Sequence, residues 1–460
     1  TSEIVEKKLI NNVEFQIIWT GDANKVRLHI DKIISSDERG RNLFDPFLVP
    51  SIASFIADQV TEQTNFKQRV AGWMAADEPT VIDQFAPIKK VSEVVEDAGS
   101  SLWIAFINWF YGRFWDGGHP SATANLVRIE EFMRRVKKAN LWMNYYMFDW
   151  PFSSTFNPNG GDWKINTINA ITDSCYCHYA AASQLPGVDL FWGASIQTGR
   201  IKYPIYGGAD YWREIHSPDL LYTTNLALLY GAKLISPWLF FGAGDGVDWH
   251  YTSFLNPNPN GPISPFLESD KYYTLKDTIA PRLSGLMGKI LKKLTPSNQF
   301  AGSNGIETLI QQTLSSDFDY INSIRSFGGS TDKTFIELGF FNNPTDPAEK
   351  YFMPLNRYYS KLNNFTIDLR NLSGFKNWNL TYYEVNKFSN TILANNGISS
   401  FAASIYPGDA KLFRLVPVLT HGGSLIADET VNGGTTLLAD MSIENGVTLT
   451  VNDTYYANAN

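Results

Sequence analysis

A chain of 460 residues is too long for one hydrophobic core, and two or three domains are expected. Its formal charge of −8, from 38 basic and 46 acidic side chains, comes without a long basic run, which argues against nucleic acid as a partner. No segment is apolar for long enough to span a bilayer, and two cysteines one residue apart, Cys175 and Cys177, supply neither a disulfide framework nor a zinc site.

In chain order, a polar opening leads into a predicted strand at 13–19, and residues 51–65 carry apolar side chains at helical spacing. Val70-Ala71-Gly72-Trp73-Met74-Ala75-Ala76 then runs directly into Asp77-Glu78-Pro79. A run this short, closed by a proline, reads as a strand buried on both faces. Residues 101–109 form a second such run, and 124–138 a helix with Leu126, Ile129, Phe132, Met133 and Val136 on one side. A strand at 141–149 ends in Asp149. A helix at 168–184, where both cysteines are expected as free buried thiols, precedes a strand at 188–197. Residues 218–230 read as a helix stopped by Gly231, 233–241 as a strand, and 275–294 as one long closing helix.

This strand–helix alternation predicts right-handed βαβ units and a parallel sheet. Five strands run from position 72 onward, and the strand at 13–19 makes six. The fold class expected is α/β, a (β/α)8-type (TIM) barrel whose first strands are not all in this chain, because charged residues and turn formers dominate 21–50. The alternatives are a further strand within 20–50 or an open doubly wound sheet; the second lacks a Gly-rich phosphate loop after any strand. Short alternating runs at 334–341, 365–369, 378–385, 400–405 and 411–416, separated by Asn, Gly and Pro, predict an antiparallel β-sandwich. Residues 434–451 resemble the first rung of a β-solenoid or a β-linker, and one rung cannot bury its own core. The expected domains are a barrel at 1–298, a β-sandwich at 299–420 and a β-rich segment at 421–460.

Aromatic residues make up 14% of the chain against 18% charged residues, and many stand beside Gly, Asn and Asp. That mixture suits carbohydrate, whose apolar faces stack on rings while its hydroxyls bond to Asn and Asp; core packing accounts for most of the rings. The candidate sugar contacts near strand ends are Trp109, Tyr111, Trp115, Trp150, Trp238 and Trp249, with Asp245 and Asp248 in a Gly-rich loop that lacks a calcium-loop pattern. The histidines have no paired spacing, so neither a metal nor a cofactor is expected. No Gly-x-Ser-x-Gly elbow is present, which argues against a serine hydrolase of the α/β type.

Three stretches together resemble the glycoside-hydrolase TIM barrels of the large retaining clan with a β-galactosidase-like layout. Gly72-Trp73-Met74-Ala75-Ala76-Asp77-Glu78-Pro79 is similar to the fourth strand of such barrels. Residues 217–233, ending Leu229-Tyr230-Gly231-Ala232-Lys233, are similar to the approach to their last strand. Pro407-Gly408-Asp409-Ala410-Lys411-Leu412-Phe413-Arg414-Leu415 looks like the closing strand of the β-domain often appended to them. The resemblance covers about residues 10–418 and implies that Glu78, after the fourth strand, is the general acid/base. It also places the nucleophile after the seventh strand, at 188–197, whose end carries Gln197 instead of a Glu. Asp149 and Glu214 are then the candidates for the second carboxylate.

Glycoside hydrolysis needs one protonated carboxyl to assist the leaving oxygen and one ionised carboxylate to attack carbon or activate water. Asp77 reads as a supporting residue or a substrate contact; the competing view is that Asp77 or Glu78 is simply an N-cap ahead of Pro79. Two functions are therefore carried forward. One is a secreted glycoside hydrolase acting on a poly- or oligosaccharide, with Glu78 as proton donor. The other is a non-catalytic carbohydrate-binding or structural module of an extracellular assembly. Both imply a carbohydrate partner, no nucleic acid, no membrane span and an extracellular or cell-surface location, with further domains or partners joined through the C-terminal segment.

Overall fold

The computed structural model describes residues 47, 49–66, 73–77, 85–100, 102–107, 122–136, 140–145, 175, 179, 192–199, 201–202, 210–212, 214–238, 240, 243–244, 250–257, 266–302, 320–326, 336–346, 349–358, 360–369, 376–383, 391–419, 423–425, 429–431, 436–437, 441–443 and 445–451. The predicted strand at 13–19 lies outside them. The chain divides into two units, Thr1–Ile52 and Ala53–Asn460. In the first, the described residues are Phe47 and the opening turn of helix α1 (Val49–Phe66). The account below concerns the second.

Strands β1 (Trp73–Asp77), β2 (Leu102–Ile107), β3 (Asn140–Tyr145), β4 (Trp192–Gln197) and β5 (Leu234–Trp238) form one sheet. They pair in chain order, and every pair is parallel. Each coincides with one of the five runs expected from position 72 onward, β3 starting one residue before its run. Side chains alternate along a strand, so Leu141, Met143, Trp192, Ala194, Ile196 and Ile235 share one face. These six belong to a single apolar cluster with residues of helices α2 (Phe85–Asp97), α3 (Ala122–Val136) and α4 (Ser217–Leu229), among them Phe85, Val95, Phe132, Met133, Leu220 and Leu226. The opposite face carries Trp142, Asn144, Gly193, Ser195, Gln197, Leu234, Ser236 and Trp238.

Helix α4 has no polar side in the usual sense. Asp219, Leu220 and all residues from Tyr222 to Leu229 are buried, as befits a helix enclosed between two layers. Its two threonine hydroxyls bond to its own backbone, Thr223 donating to Asp219 O at 2.9 Å and Thr224 to Leu220 O at 2.7 Å. The helix starts where His216 N–H donates to the Asp219 carboxylate at 2.8 Å and ends ahead of Gly231, as its sequence predicts.

The closing helix differs from expectation. Instead of one helix over 275–294, the structure has α5 (Asp270–Thr274), a π-turn at Leu275–Ile279, α6 (Ala280–Ser284) and α7 (Leu286–Lys293). Pro281 has no N–H to return to the preceding turn, and Gly285 adopts an extended conformation that separates the last two pieces. Cys175 is buried in a helical position, and Cys177 lies outside the described residues.

Beyond Leu294 the chain is β-structure. Strands β6 (Thr295–Gly302), β8 (Ile336–Asn342), β9 (Lys350–Asn356), β14 (Leu412–Leu419), β11 (Lys376–Tyr383) and β12 (Thr391–Ile398) form one antiparallel sheet in that order. A second antiparallel sheet has the order β7 (Ile321–Ser326), β10 (Asn363–Leu369), β13 (Ser400–Ile405). Both contribute to one core: Leu338, Phe340, Phe352, Phe413 and Leu415 from the first, and Ile321, Phe365, Ile367 and Ile405 from the second. Strand β6 spans the domain boundary expected at 298/299. After β14 the pairing becomes parallel: Val418 pairs with Thr436, Gly423 with Met441 and Glu429 with Leu449, so each segment lies beside one 18 to 20 residues further along.

The two parts are joined by a buried polar cluster. Gly408, in the turn before β14, holds a φ of +66°, and a Cβ there would lie 2.2 Å from the carbonyl oxygen of Pro218 at the start of α4. The Asn225 amide donates to Gly408 O at 3.1 Å and to the Asp409 carboxylate at 3.3 Å. Arg282 of α6, only 2% exposed, donates to Asn225 Oδ1 at 2.7 Å and pairs with Asp409 at 2.8 Å. Nearby, Tyr230 donates to Glu337 of β8 at 2.8 Å; burial and that carboxylate push the phenol well above its usual range.

Gly408→Ala should therefore cost about 2–3 kcal/mol of stability, from a left-handed conformation and a clash that no rotamer relieves, read as a fall in Tm. A second expectation concerns Lys233, which precedes β5 and donates to Leu291 O and Leu294 O at 2.6 and 2.7 Å. Burial lowers its amine to about 8. Between pH 8 and the ordinary lysine range the unfolded chain binds the proton that the folded chain has released, so stability rises with pH there. Tm measured against pH should show that rise relative to Lys233→Met.

Candidate functional site

The C-terminal ends of parallel strands are where barrels and open α/β sheets alike place their chemistry, because the loops there converge from several strands. At that end Gln197 closes β4 in register with Trp238, which closes β5 and is partly exposed. Gln197 is buried, and its amide donates to Gly199 O at 2.9 Å. The chain then meets the segment that follows β5. Thr198 N–H donates to Trp238 O at 3.0 Å, the Thr198 and Ser253 hydroxyls lie 3.3 Å apart, and a Cβ on Gly199 would fall 1.7 Å from Thr252 O. Only glycine permits so close an approach of two backbones.

The same two loops pair as a small antiparallel sheet. Its strands, in spatial order, are Asp210–Trp212, Ile201–Lys202, His250–Tyr251 and Ala243–Gly244. Glu214 follows the first of these. One of its carboxylate oxygens accepts from the Thr252 hydroxyl at 2.5 Å, and the other pairs with the Lys271 ammonium of α5. Lys271 is buried with its side chain 5% exposed, whereas Glu214 is one-third exposed. The lysine thus needs the carboxylate more than the carboxylate needs the lysine. With both oxygens already accepting, Glu214 has the contacts of an anion that attracts or orients and not those of a proton donor.

Below this end, Asn144, Ser195 and Ser236 form one register row across β3, β4 and β5, with Asn144 and Ser195 buried. Gln197 lies one step above Ser195 on the same face. A polar row of this kind, on the face opposite the clustered helices, suits a lined cavity or a hydrated interior. Sequence reasoning missed this row, although the polar residues interrupt otherwise apolar runs at a period of two. It also missed Thr198, Thr252, Ser253 and Lys271, for which no local pattern exists.

The other sequence-derived residues distribute as follows. Asp77 is the last residue of β1, in the register row of Ala105, Trp142, Gly193 and Leu234. Glu78, Trp109, Tyr111, Trp115, Asp149, Trp150, Asp245, Asp248 and Trp249 lie outside the described residues. Residues 245–249 join two described strands of the small sheet, Ala243–Gly244 and His250–Tyr251. Among the described residues no group of three or more His, Cys, Asp or Glu side chains could hold a metal ion, and no helix is long and apolar enough to cross a membrane.

No protein-family model matches the chain, and no curated protein sequence matches it. Solved structures it is similar to include glycoside hydrolases. A family 51 α-L-arabinofuranosidase from Bifidobacterium longum aligns over 77% of this chain and 70% of its own, at 11% identity and a TM-score of 0.35. The family 44 endoglucanase Cel44A from Clostridium thermocellum aligns over 79% and 70%, at 10% identity and 0.32. A family 30 subfamily 8 xylanase from Clostridium acetobutylicum aligns over 83% and 87%, at 10% identity and 0.29.

The asymmetry of the Glu214–Lys271 pair has a measurable consequence. Glu214→Ala strands a buried ammonium and should cost about 2–4 kcal/mol, whereas Lys271→Met should cost less than about 1, and the double variant should recover most of the loss. Denaturant unfolding of the three variants closes the cycle.

Proposed function

We propose that the chain is a carbohydrate-active protein built on a (β/α)8-type barrel with an appended β-sandwich and a solenoid-like tail, acting as an extracellular or cell-surface glycoside hydrolase. The observation that carries this reading is the five-strand parallel sheet. Its strands follow chain order without a switch point, and the described helices clustered with it share one face. An open doubly wound sheet reverses its strand order and places helices on both faces. A barrel has neither property, and its inward face is free to carry groups such as Asn144, Ser195 and Gln197.

In this reading Asp77 and Glu78 stand at the functional end of the first strand of the arc. Glu78 donates its proton to the glycosidic oxygen as the bond to the anomeric carbon breaks. Glu214 takes the ionised role, with Asp149 as the alternative. It stands in the loop that follows β4, the strand at whose end the resemblance expects the nucleophile and finds Gln197, and its two donors fix its orientation. If the carboxyl groups stand about 5–5.5 Å apart, the carboxylate attacks the anomeric carbon and configuration is retained; at roughly 6.5–9.5 Å it activates water and configuration inverts. The aromatic residues named from the sequence, with Trp238 at the end of β5, supply ring faces for the sugar.

A second reading is favoured by one observation. Gln197, in the place where a Glu is expected, is buried and tied to Gly199 O, so it neither ionises nor points its amide outward. A barrel that binds sugar without cleaving it would tolerate that residue. Glu78→Gln separates the readings. A hydrolase should lose at least about a hundredfold in turnover on aryl glycosides and soluble polysaccharides with its Tm unchanged, and Glu214→Gln should lose a comparable factor. Binding of the same polysaccharides without product release from the unaltered protein would instead establish the non-catalytic module.

A further inference from the structure

Past β5 the chain forms an exposed surface that the strand-end residues do not use. Phe240 follows Trp238 by two residues and is 41% exposed, its ring 5.7 Å from that of the fully buried Phe254. Its carbonyl accepts from Leu255 N–H at 3.2 Å, which opens a hairpin of Leu255–Pro257 with Phe266–Glu268. On the returning strand Leu267 is 50% exposed. The hairpin runs into α5, where Ser269 N–H donates to Phe254 O at 2.8 Å and Tyr273 is 47% exposed.

Exposure alone says little, but Tyr273 is also immobilised. Its hydroxyl donates to the Glu268 carboxylate at 2.5 Å. The ring of Tyr272 meets it nearly edge-on at 5.7 Å, and the Lys276 ammonium lies 5.8 Å from both ring centroids. An exposed ring normally keeps its rotamer freedom, and binding a ligand then costs the entropy of fixing it. Here that cost has already been met by the fold. The surface combines fixed, solvent-facing rings with two carboxylates, Glu268 and Asp270, as hydroxyl acceptors. Rings that stack on flat apolar faces beside acceptors for hydroxyls are the complement of a sugar chain. A protein surface would favour a larger contiguous apolar patch without anions at its centre.

We infer that Phe240 and Tyr273, with Glu268, form an outer binding surface for a polysaccharide chain that continues from the strand-end site. This inference rests on the carbohydrate reading above and sharpens it. The partner is a polymer long enough to reach from the end of β5 across the hairpin, and not a short oligosaccharide.

Affinity electrophoresis of the full chain in gels containing arabinoxylan, xyloglucan, carboxymethylcellulose or starch tests it. The unaltered protein and Glu78→Gln should both be retarded by at least one polymer. Tyr273→Ala and Phe240→Ser should lose at least fivefold in retardation with unchanged Tm, while Tyr273→Phe, which keeps the ring but loses its tie to Glu268, should lose less than Tyr273→Ala. Turnover of a short aryl glycoside, where present, should be the same in all the surface variants. Retardation that persists in Tyr273→Ala and Phe240→Ser, or the absence of retardation by every polymer, overturns the outer surface. Loss of turnover in Glu78→Gln without loss of retardation keeps the two questions separate, because it reports on the acid alone.

Discussion

The structure depends on the contact between α4 and the turn at Gly408–Asp409. Four groups meet there: the Asn225 amide, the Arg282 guanidinium, the Asp409 carboxylate and the Gly408 carbonyl. Asn225, Arg282 and Gly408 are buried and Asp409 is half-buried, and hydrogen bonds among largely buried polar groups help to specify one arrangement. Two of the sequence stretches that carry the family resemblance, 217–233 and 407–415, are separated by nearly half the chain and come together at this point. The antiparallel sheets are consequently part of the frame around α4, a helix buried over almost its whole length.

That frame extends to the candidate site. Glu214 lies three residues ahead of α4, and Lys271 lies on the same broken helical run as Arg282. The Thr274 hydroxyl donates to Ser217 Oγ at 2.7 Å and joins the two runs directly. A shift of α4 against the β-domain would therefore move both partners of the Glu214–Lys271 pair. Rigid support of this kind is what positions a catalytic or binding group to within fractions of an ångström.

What the sequence disclosed follows from the range of the forces involved. The five parallel strands were legible because each is a short apolar run with a distinct stop, and α4 because Pro218 and Gly231 mark its ends. Strand β9 was not, since Pro354 interrupts it, although the Pro354 carbonyl still accepts from Lys411 N–H at 3.2 Å across the sheet. The closing helix was read as continuous because its apolar spacing hides the break that Pro281 and Gly285 impose. Glu214 could be named as a candidate from its place in a loop after a strand, while Glu78 and Asp149 lie outside the described residues. The partners of Glu214 could not, because Thr252 and Lys271 reach it from 38 and 57 residues away and nothing local marks them.

Strand β14 has a mechanical role that follows from its two ends. At its start, Asp409 and Ala410 lead out of the cluster that holds α4; at its finish, Val418 and Leu419 begin the parallel pairing with Thr436 and Leu437. Between them it is flanked by β9 and β11, both antiparallel to it. A load applied to the tail would travel along this one strand to the helix beside the site. Its ladder hydrogen bonds on both sides would carry that load in shear, the geometry in which many bonds must yield together. The strand is thus a tie-rod between whatever the tail holds and the part of the chain that would hold sugar.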